Sequence, residues 1–239
     1  MANNVLITGA NKSIGHETAR RLGEAGYRVW LGARDRGRGE TAAEALRAHG
    51  YDVRYIDIAV EDEARVRAAA ERVSAEDGKL DVLINNAAIP GTYADPVEET
   101  VDDIRRVYDV NVFGPIRMIK AFLPLLKAAG SANVINVSSG LGSLNFMADP
   151  CNPFYGANLL GYNSSKTALN AITVSFAKAL APFGIRVNSA NPGYVKTDFN
   201  YHSGHRSVED AAEIMVRLAT SGEDGPTAGF FDDETTLPW

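Results

Sequence analysis

Tyr162 and Lys166 are the residues whose types and spacing most directly indicate chemistry. They stand four positions apart in Tyr-Asn-Ser-Ser-Lys, and residues with this spacing lie on one face of a helix. An ammonium group beside a phenol favours the phenolate, so we expect the tyrosine pKa to fall from about 10 toward neutrality. Such a phenol can donate or accept a proton in a reaction at a C–O bond. Because a chain with nine tyrosines can contain this spacing by chance, the rest of the sequence must support the interpretation.

Short apolar runs alternate with longer amphipathic segments, and this order predicts the elements that position the pair. Strands rich in Val, Ile and Leu that are separated by helices are typical of a parallel sheet covered on both faces. We predict a single α/β domain over residues 1–239, a three-layer Rossmann-type doubly wound parallel sheet of about seven strands, with ligands at the carboxyl ends of the strands. The predicted strands are Val5–Thr8, Arg28–Leu31, Val53–Ile56, Val82–Asn85, Val134–Ser138, Ile185–Ser189 and Gly229–Phe231. The predicted helices are Ile14–Ala25, Gly39–His49, Glu61–Glu76, Val101–Leu126, Tyr162–Ala181 and Val208–Ala219.

Composition narrows the class of function. With 45% apolar and 23% charged residues, the chain is expected to fold around a core. A net charge of −6 disfavours a nucleic-acid partner, and no apolar run is long enough to span a membrane. A single cysteine, Cys151, excludes an intramolecular disulfide, and the N-terminus lacks the features of a secretory signal. We therefore predict a soluble cytoplasmic protein. His202 and His205 have metal-ligand spacing, but no third ligand lies near them in sequence, so no metal site is expected.

The segment from Thr8 to Gly15 falls where the first strand turns into its helix. A glycine-bearing turn at this place lets backbone N–H groups and the helix N-terminus face a pyrophosphate. Its spacing is not the Gly-x-Gly-x-x-Gly of the common dinucleotide fingerprint, so an ordinary strand–helix turn is the alternative. The candidate cofactor-binding residues here are Gly9, Asn11, Lys12, Ser13, Ile14 and Gly15.

Six motifs occur in the order found in the short-chain dehydrogenase/reductase family, which the chain resembles over essentially its whole length. They are Thr-Gly-x-x-x-x-x-Gly at the first turn, Asn85-Asn86-Ala87-Ala88, Asn111, Ser139, Tyr162 with Lys166, and Asn191-Pro192-Gly193. Ser13 and Ala88 stand where the family usually has glycine, and we expect slightly altered backbone packing from them. The segment Ala33-Arg34-Asp35-x-x-Arg38-Gly39 makes the chain most similar to the NADPH-dependent carbonyl reductases.

The resemblance implies reversible reduction of ketones and aldehydes to alcohols, with four catalytic residues. Tyr162 is expected to be the proton donor, and Lys166 to lower its pKa and hydrogen-bond the nicotinamide ribose. Ser139 is expected to donate to the substrate oxygen, and Asn111 to link the lysine to solvent through water. Two alternatives remain open. Ser138 competes with Ser139, because adjacent strand residues point to opposite faces, and Asn111 can instead be a buried asparagine that caps helix backbone.

The residues after the second strand are expected to determine whether NADPH or NADH binds. Arg34, Arg36 and Arg38, with Lys12 in the facing turn, predict a site for the 2′-phosphate of NADPH, since arginine binds phosphate bidentately. The less favoured alternative is NAD, which Asp35 would support because it has the spacing of a ribose-binding carboxylate. In a third interpretation, these arginines belong to a solvated loop without a ligand. The resemblance implies further contacts from Asp57 and Ile58 to adenine, from Asn86 and Ala87, and from Pro192, Gly193, Val195 and Thr197 to the nicotinamide. For Asp57, a helix N-cap is the alternative role.

The substrate pocket is predicted from the segment between Ser139 and Tyr162 and from the loop after Thr197. The segment between Ser139 and Tyr162 contains apolar residues suited to the wall of a ligand pocket. They are Phe146, Met147, Cys151, Pro153, Phe154 and Tyr155. The alternative is a surface loop that packs against the body of the protein. The loop after Thr197 is short, so we expect an accessible site for medium-sized carbonyl compounds. An NAD-linked hydroxysteroid or polyol dehydrogenase, a nucleotide-sugar epimerase or dehydratase, and a non-catalytic NADP-binding sensor are the alternative functions. A homo-oligomer that pairs through Val101–Leu126 and Tyr162–Ala181 is also compatible with the resemblance.

Overall fold

Seven parallel strands form one sheet in the computed structural model, which describes residues 3–239. Their order is β3-β2-β1-β4-β5-β6-β7, so the direction of winding reverses between β1 and β4 and opens a crevice at the carboxyl ends of these strands. The strands are β1 Asn4–Thr8, β2 Arg28–Ala33, β3 Val53–Asp57, β4 Val82–Asn85, β5 Ala132–Val137, β6 Ile185–Ala190 and β7 Phe230–Phe231. The predicted fold, a doubly wound seven-stranded sheet in one domain, is confirmed.

Within residues 3–239, eight α-helices pack on the two faces of this sheet or lie at its edges. They are α1 Ser13–Glu24, α2 Arg36–Arg47, α3 Glu63–Asp77, α4 Val101–Tyr108, α5 Gly114–Ala128, α6 Leu144–Ala148, α7 Leu160–Leu180 and α8 Val208–Ala219. Asp35 and Asp62 accept backbone N–H groups at the starts of α2 and α3, so these helices do not begin at the predicted Gly39 and Glu61. Among the described helices, none combines the length and the apolar character needed to cross a bilayer.

The predicted helix Val101–Leu126 is helical throughout, but its middle is not α-helical. A single π-helical turn, Asp109–Phe113, separates α4 from α5, and such a turn inserts one extra residue into the helical ladder. Its centre is Asn111, which is completely buried. The short helix α6 between Ser139 and Tyr162 was not predicted either.

The core consists of two apolar clusters, one on each face of the sheet. In β1, Leu6 belongs to one cluster, while Val5 and Ile7 belong to the other, because successive strand residues point to opposite faces. The same division places Trp30 of β2 in the first cluster and Leu31 in the second. Both faces of the sheet are therefore buried, which explains why the strand sequences are unbroken runs of apolar residues.

Candidate active site

The loop after β5 and the first turns of α7 bring Ser139, Tyr162 and Lys166 together at the carboxyl edge of the sheet. The Lys166 ammonium lies 5.6 Å from the centroid of the Tyr162 ring, and it donates a hydrogen bond of 2.8 Å to the Val137 carbonyl of β5. The Ser139 hydroxyl lies close enough to the Tyr162 phenol to lower its pKa. The helical spacing therefore places the amine beneath the tyrosine ring and anchors it to the sheet rather than to the phenol oxygen.

Burial sets the protonation of this pair. It raises the pKa of Tyr162 to about 12, and the nearby Ser139 hydroxyl offsets only part of that rise. It lowers the pKa of Lys166 to about 7, since a low-dielectric environment disfavours the charged form of acid and base alike. The expected depression of the tyrosine pKa is therefore wrong for this structure. The phenol keeps its proton throughout the neutral range, while the amine gives up its proton at much lower pH than an exposed lysine does.

The two adjacent serines occupy different environments. Ser138 is buried, and its hydroxyl donates to the backbone carbonyl of Lys166 at 3.5 Å. Ser139 is partly exposed, accepts the backbone N–H of Leu141 at 3.2 Å and faces Tyr162. The structure thus brings Ser139, and not Ser138, next to the phenol.

Asn111 joins the π turn to two neighbouring segments. Its amide oxygen accepts from the Ile89 N–H at 2.9 Å, and its amide nitrogen donates to the Ile89 carbonyl at 3.0 Å and to the Ser165 hydroxyl at 3.1 Å. The Ser165 hydroxyl in turn donates to the Tyr162 carbonyl at 2.7 Å. These bonds hold the first turn of α7 against the loop after β4, and the helix-capping alternative for Asn111 does not describe them.

The turn between β1 and α1 is tightly packed. Gly9 has a φ of +65°, and a Cβ on Gly15 would lie 2.5 Å from the Asn86 amide nitrogen, which donates to the Thr8 carbonyl at 2.8 Å. Ser13 has a φ of +51°, a left-handed conformation that explains why glycine is usual at its position. Asn11, Lys12 and Ile14 complete the turn and the start of α1.

The beginning of α1 fits an anionic group. No side chain within residues 3–239 caps this helix, whereas Asp35, Asp62, Thr100 and Ser207 cap α2, α3, α4 and α8. Its first backbone N–H groups are therefore left for another acceptor. A pyrophosphate has the charge and the oxygens that such a helix N-terminus binds.

Arg34 and Arg38 of the predicted cationic cluster after β2 form only long ion pairs with carboxylates of the protein. Arg34 is largely exposed and lies 3.7 Å from Glu61, and Arg38 lies 3.9 Å from Asp35. Asp35 uses its carboxylate to accept the Arg38 N–H at 2.9 Å. Lys12 instead forms an ion pair of 2.7 Å with Asp198, so this cation is shared between the turn after β1 and the loop after β6.

Asp57 and Ile58 lie at the carboxyl end of β3 in different surroundings. The Asp57 carboxylate pairs with Arg65 of α3, and Ile58 is buried in the core. Because Asp62 caps α3, the alternative role of Asp57 as its N-cap is wrong. Ala87 packs against the glycine turn, where a Cβ on Gly9 would lie 3.0 Å from the Ala87 Cα.

Asn191 fixes the loop after β6 beside Ser139. Its amide oxygen accepts the backbone N–H groups of Gly140 at 3.0 Å and Gly193 at 3.1 Å. Gly193 has a φ of +77°, while Pro192 is buried. The remaining predicted residues of this loop, Val195 and Thr197, are buried as well.

Glu99 is a site residue that the sequence motifs did not indicate. Its carboxylate accepts the backbone N–H of Gly161 at 2.9 Å and the Thr92 hydroxyl at 3.1 Å. A Cβ on Gly161 would lie 2.8 Å from the same carboxylate. Since Leu159, at the N-cap position of α7, provides no side-chain cap of its own, Glu99 holds the helix N-terminus one residue before Tyr162.

Some side chains of the segment between Ser139 and α7 pack against the protein, and others are exposed to solvent. Phe154 lies against the turn at Gly140, where a Cβ would come within 2.6 Å of its ring, and Phe146 stacks on Phe154 with centroids 6.0 Å apart. Cys151 and Tyr155 are exposed. The phenylalanines therefore form the part of this segment nearest to Ser139.

The histidines of the loop after β6 make polar and aromatic contacts. His202 Nε2 lies 3.0 Å from the Asp198 carboxylate, and His205 packs edge-on against Tyr194 at 5.9 Å. Across residues 3–239, no three His, Cys, Asp or Glu side chains come together as a metal site would require.

The fold and this constellation define a class of protein. The sequence profile described as short chain dehydrogenase matches residues 3–207, and the chain belongs to this family of oxidoreductases, which use nicotinamide dinucleotides. A short-chain dehydrogenase of Penicillium roqueforti, anuI, is 36% identical over 98% of this chain and 95% of the fungal protein. The (+)-neomenthol dehydrogenase of Arabidopsis thaliana is 32% identical over 95% of this chain and 94% of the plant protein. The crystal structure of NADPH-bound carbonyl reductase from chicken fatty liver has a TM-score of 0.88 at 28% identity, covering 100% of this chain and 99% of the other.

Proposed function

We propose that the protein is an NADPH-dependent carbonyl reductase that converts ketones and aldehydes to alcohols and works in reverse as an alcohol dehydrogenase. The observation that carries the proposal is the meeting of Ser139, Tyr162 and Lys166 at the carboxyl edge of the sheet, with a phenol that stays protonated at neutral pH. Similarity to a carbonyl reductase and to a neomenthol dehydrogenase supports the same chemistry.

Each member of the set has a physical role in the reduction. Bound NADPH supplies a hydride to the carbonyl carbon. The Ser139 hydroxyl donates to the carbonyl oxygen and orients it. Tyr162 gives its proton to this oxygen as negative charge develops there, and recovers a proton from solvent. Lys166 uses one ammonium hydrogen on Val137, which leaves two for the cofactor ribose.

The remaining residues of the site support these groups. Asn111 and Ser165 hold the first turn of α7. We further propose that the turn residues from Gly9 to Gly15, with Asn86 and Ala87, bind the dinucleotide, that Asp57 and Ile58 contact its adenine, and that Pro192, Gly193, Val195 and Thr197 contact the nicotinamide. The water-mediated link from Asn111 to the lysine, the cytoplasmic location and the small-molecule substrate stay predictions from the sequence.

The preference for NADPH rests on Arg34 and Arg38. Both guanidinium groups are exposed and have only distant carboxylate partners, so they are available to a 2′-phosphate. The use of Asp35 as a helix cap works against the alternative in which it binds the ribose of NAD. We predict that Arg34→Glu raises the Michaelis constant for NADPH far more than that for NADH. Equal changes for the two cofactors would refute this assignment.

A direct assay tests the proposed function. Nicotinamide absorbance is followed with NADPH and with NADH over a panel of ketones, aldehydes and quinones. We expect oxidation of NADPH by several medium-sized carbonyl compounds, with NADH the poorer cofactor. Preference for NADH with hydroxysteroids or polyols would support the alternative dehydrogenase. Binding of NADPH without turnover of any compound would indicate a sensor instead.

An oligomer that pairs through α4, α5 and α7 also stays a proposal. Val101 of α4, Phe113 of the π turn and Leu160 of α7 expose their apolar side chains, which supports burial of this region between two copies.

A further inference from the structure

The loop after β6 contains a segment that crosses the candidate site, and we call residues 197–203 the strap. It includes a 3₁₀ turn, Asp198–Asn200. The Asn200 amide donates to the Val195 carbonyl at 2.8 Å, and the Ser203 hydroxyl donates to the Asn200 carbonyl at 2.6 Å. Asp198 at the same turn is bound to Lys12. The strap is therefore fixed both within itself and to the turn after β1.

Two successive residues of the strap adopt the left-handed conformation without being glycine. Tyr201 has a φ of +53° and His202 a φ of +61°. Such residues cluster at active sites and ligand clamps, where the surrounding contacts hold them in place. Here the conformation carries the Tyr201 side chain outward, with 80% of its surface exposed.

Aromatic rings of the strap meet the catalytic tyrosine and a second loop. The Phe199 ring lies 5.6 Å from the Tyr162 ring, inclined at 59°. Tyr93, from the loop after β4, donates its hydroxyl to the Phe199 carbonyl at 3.1 Å, and its ring lies 5.9 Å from that of Tyr201. Tyr93 is also close enough to Tyr162 to add to the rise in its pKa. Tyr93, Phe199 and Tyr201 thus form a continuous aromatic surface beside the proton donor.

This surface is open to a ligand. Tyr93 keeps 52% of its surface exposed although its hydroxyl is engaged, so its ring remains available for contact. Phe146 and Phe154 add two more rings near Ser139. Aromatic rings bind other flat rings in stacked or edge-on arrangements and gain more from them than from saturated groups of equal area.

We infer that Tyr93, Phe199 and Tyr201 determine specificity by binding a planar aromatic ring attached to the carbonyl group of the substrate. This inference rests on the proposed function. The substrate class is the aryl ketones and aldehydes, including fused-ring compounds, since the strap presents an aromatic ring beside that of Tyr162. Tyr93 has a second part in the arrangement, because its hydroxyl holds the backbone of Phe199 in place.

Two ketones of similar size test the inference, acetophenone and cyclohexyl methyl ketone. They differ in the planarity of the ring, and their different intrinsic reactivities cancel when the ratio of their kcat/KM values is compared between variants. We expect Phe199→Leu and Tyr201→Leu each to lower the acetophenone-to-cyclohexyl ratio, by roughly three- to tenfold. Tyr93→Phe is expected to raise KM for acetophenone more than it changes kcat. Phe183→Leu is the matched control, because Phe183 is a half-exposed ring at the opposite edge of the sheet, and the ratio should not change.

A binding measurement separates failure of the inference from failure of the proposed function. Calorimetry of the NADP⁺-loaded protein with 1-phenylethanol and 1-cyclohexylethanol requires no turnover. If the wild type binds the aryl alcohol more tightly and Tyr201→Leu loses this preference, the result supports binding of an aryl ring by the strap, even if no carbonyl compound is reduced. Equal binding of the two alcohols, no binding of either, or unchanged ratios in both strap variants, Phe199→Leu and Tyr201→Leu, would overturn it.

Discussion

At the scale of single residues, burial rather than spacing decides the protonation of Tyr162 and Lys166. The spacing of Tyr162 and Lys166 predicted their closeness, which the structure bears out. It could not predict that β5 and the loops around α7 bury Lys166 and cover much of Tyr162, because those segments are remote in sequence. Consequently the phenol pKa is raised to about 12 and the amine pKa lowered to about 7.

The lowered pKa of Lys166 predicts a specific pH dependence of stability. Between pH 7 and the ordinary lysine pKa of 10.5, the unfolded chain binds more protons at this site than the folded chain, so the site makes stability rise with pH across that window. Lys166→Met removes this contribution. We expect the variant to be more stable than the wild type at pH 7, by on the order of a few kcal/mol at roughly 1.4 kcal/mol per pKa unit, with the difference shrinking toward pH 10.

Urea unfolding at pH 7, 8.5 and 10 checks this prediction. The matched control is Lys178→Met, since Lys178 is exposed on the same helix and its replacement should leave the pH profile parallel to that of the wild type. Parallel profiles for Lys166→Met and the wild type would show that the buried amine is not the titrating group.

At the scale of elements, the strands and most helices could be predicted, while their irregularities could not. The apolar run Val82–Asn85 became β4 with the predicted bounds. The π turn at Asn111 could not be read from the sequence, because its cause is a set of bonds to Ile89 and Ser165. The cap that Glu99 provides to α7 was missed for the same reason, since 62 positions separate Glu99 from Gly161.

The contact between Glu99 and α7 predicts a loss of both stability and activity. Glu99→Ala removes the acceptor for the Gly161 N–H, which should cost about 0.5–2 kcal/mol of unfolding free energy and lower kcat through displacement of Tyr162. Glu99→Gln keeps an oxygen acceptor and should lose less of both. Denaturant titration and steady-state kinetics measure the effects, with the exposed neighbour Glu98→Ala as control. An equal response to Glu98→Ala and Glu99→Ala would contradict the positioning role.

At the scale of the whole molecule, the parallel sheet gathers loops from distant parts of the chain at its carboxyl edge. This gathering was predictable, because parallel strands place all their carboxyl ends together. The particular contacts between the loops were not, and the ion pair of Lys12 with Asp198 joins residues 186 positions apart. Lys12 was assigned to the cofactor from the sequence, and the structure adds that it also binds the strap.

This ion pair predicts opposite changes in two Michaelis constants. In Asp198→Asn the strap loses one anchor, so KM for the carbonyl substrate should rise, and Lys12 is freed for the cofactor, so KM for NADPH should fall. Because the pair is exposed, both changes should fade as ionic strength increases. Kinetics at low and high salt measure them, with Asp52→Asn as control for an exposed ion pair at the other end of the strands. Changes of the same sign in both constants would contradict the shared role of Lys12.

The role of Tyr162 as proton donor is tested most directly by turnover of Tyr162→Phe beside Tyr155→Phe, a nearby tyrosine without a lysine partner. The account predicts that Tyr162→Phe loses roughly 10²–10⁴-fold or more in kcat while its dissociation constant for NADPH stays within about twofold of the wild type, and that Tyr155→Phe keeps most of its activity. Carbonyl reduction by Tyr162→Phe at a rate near that of the wild type would contradict it.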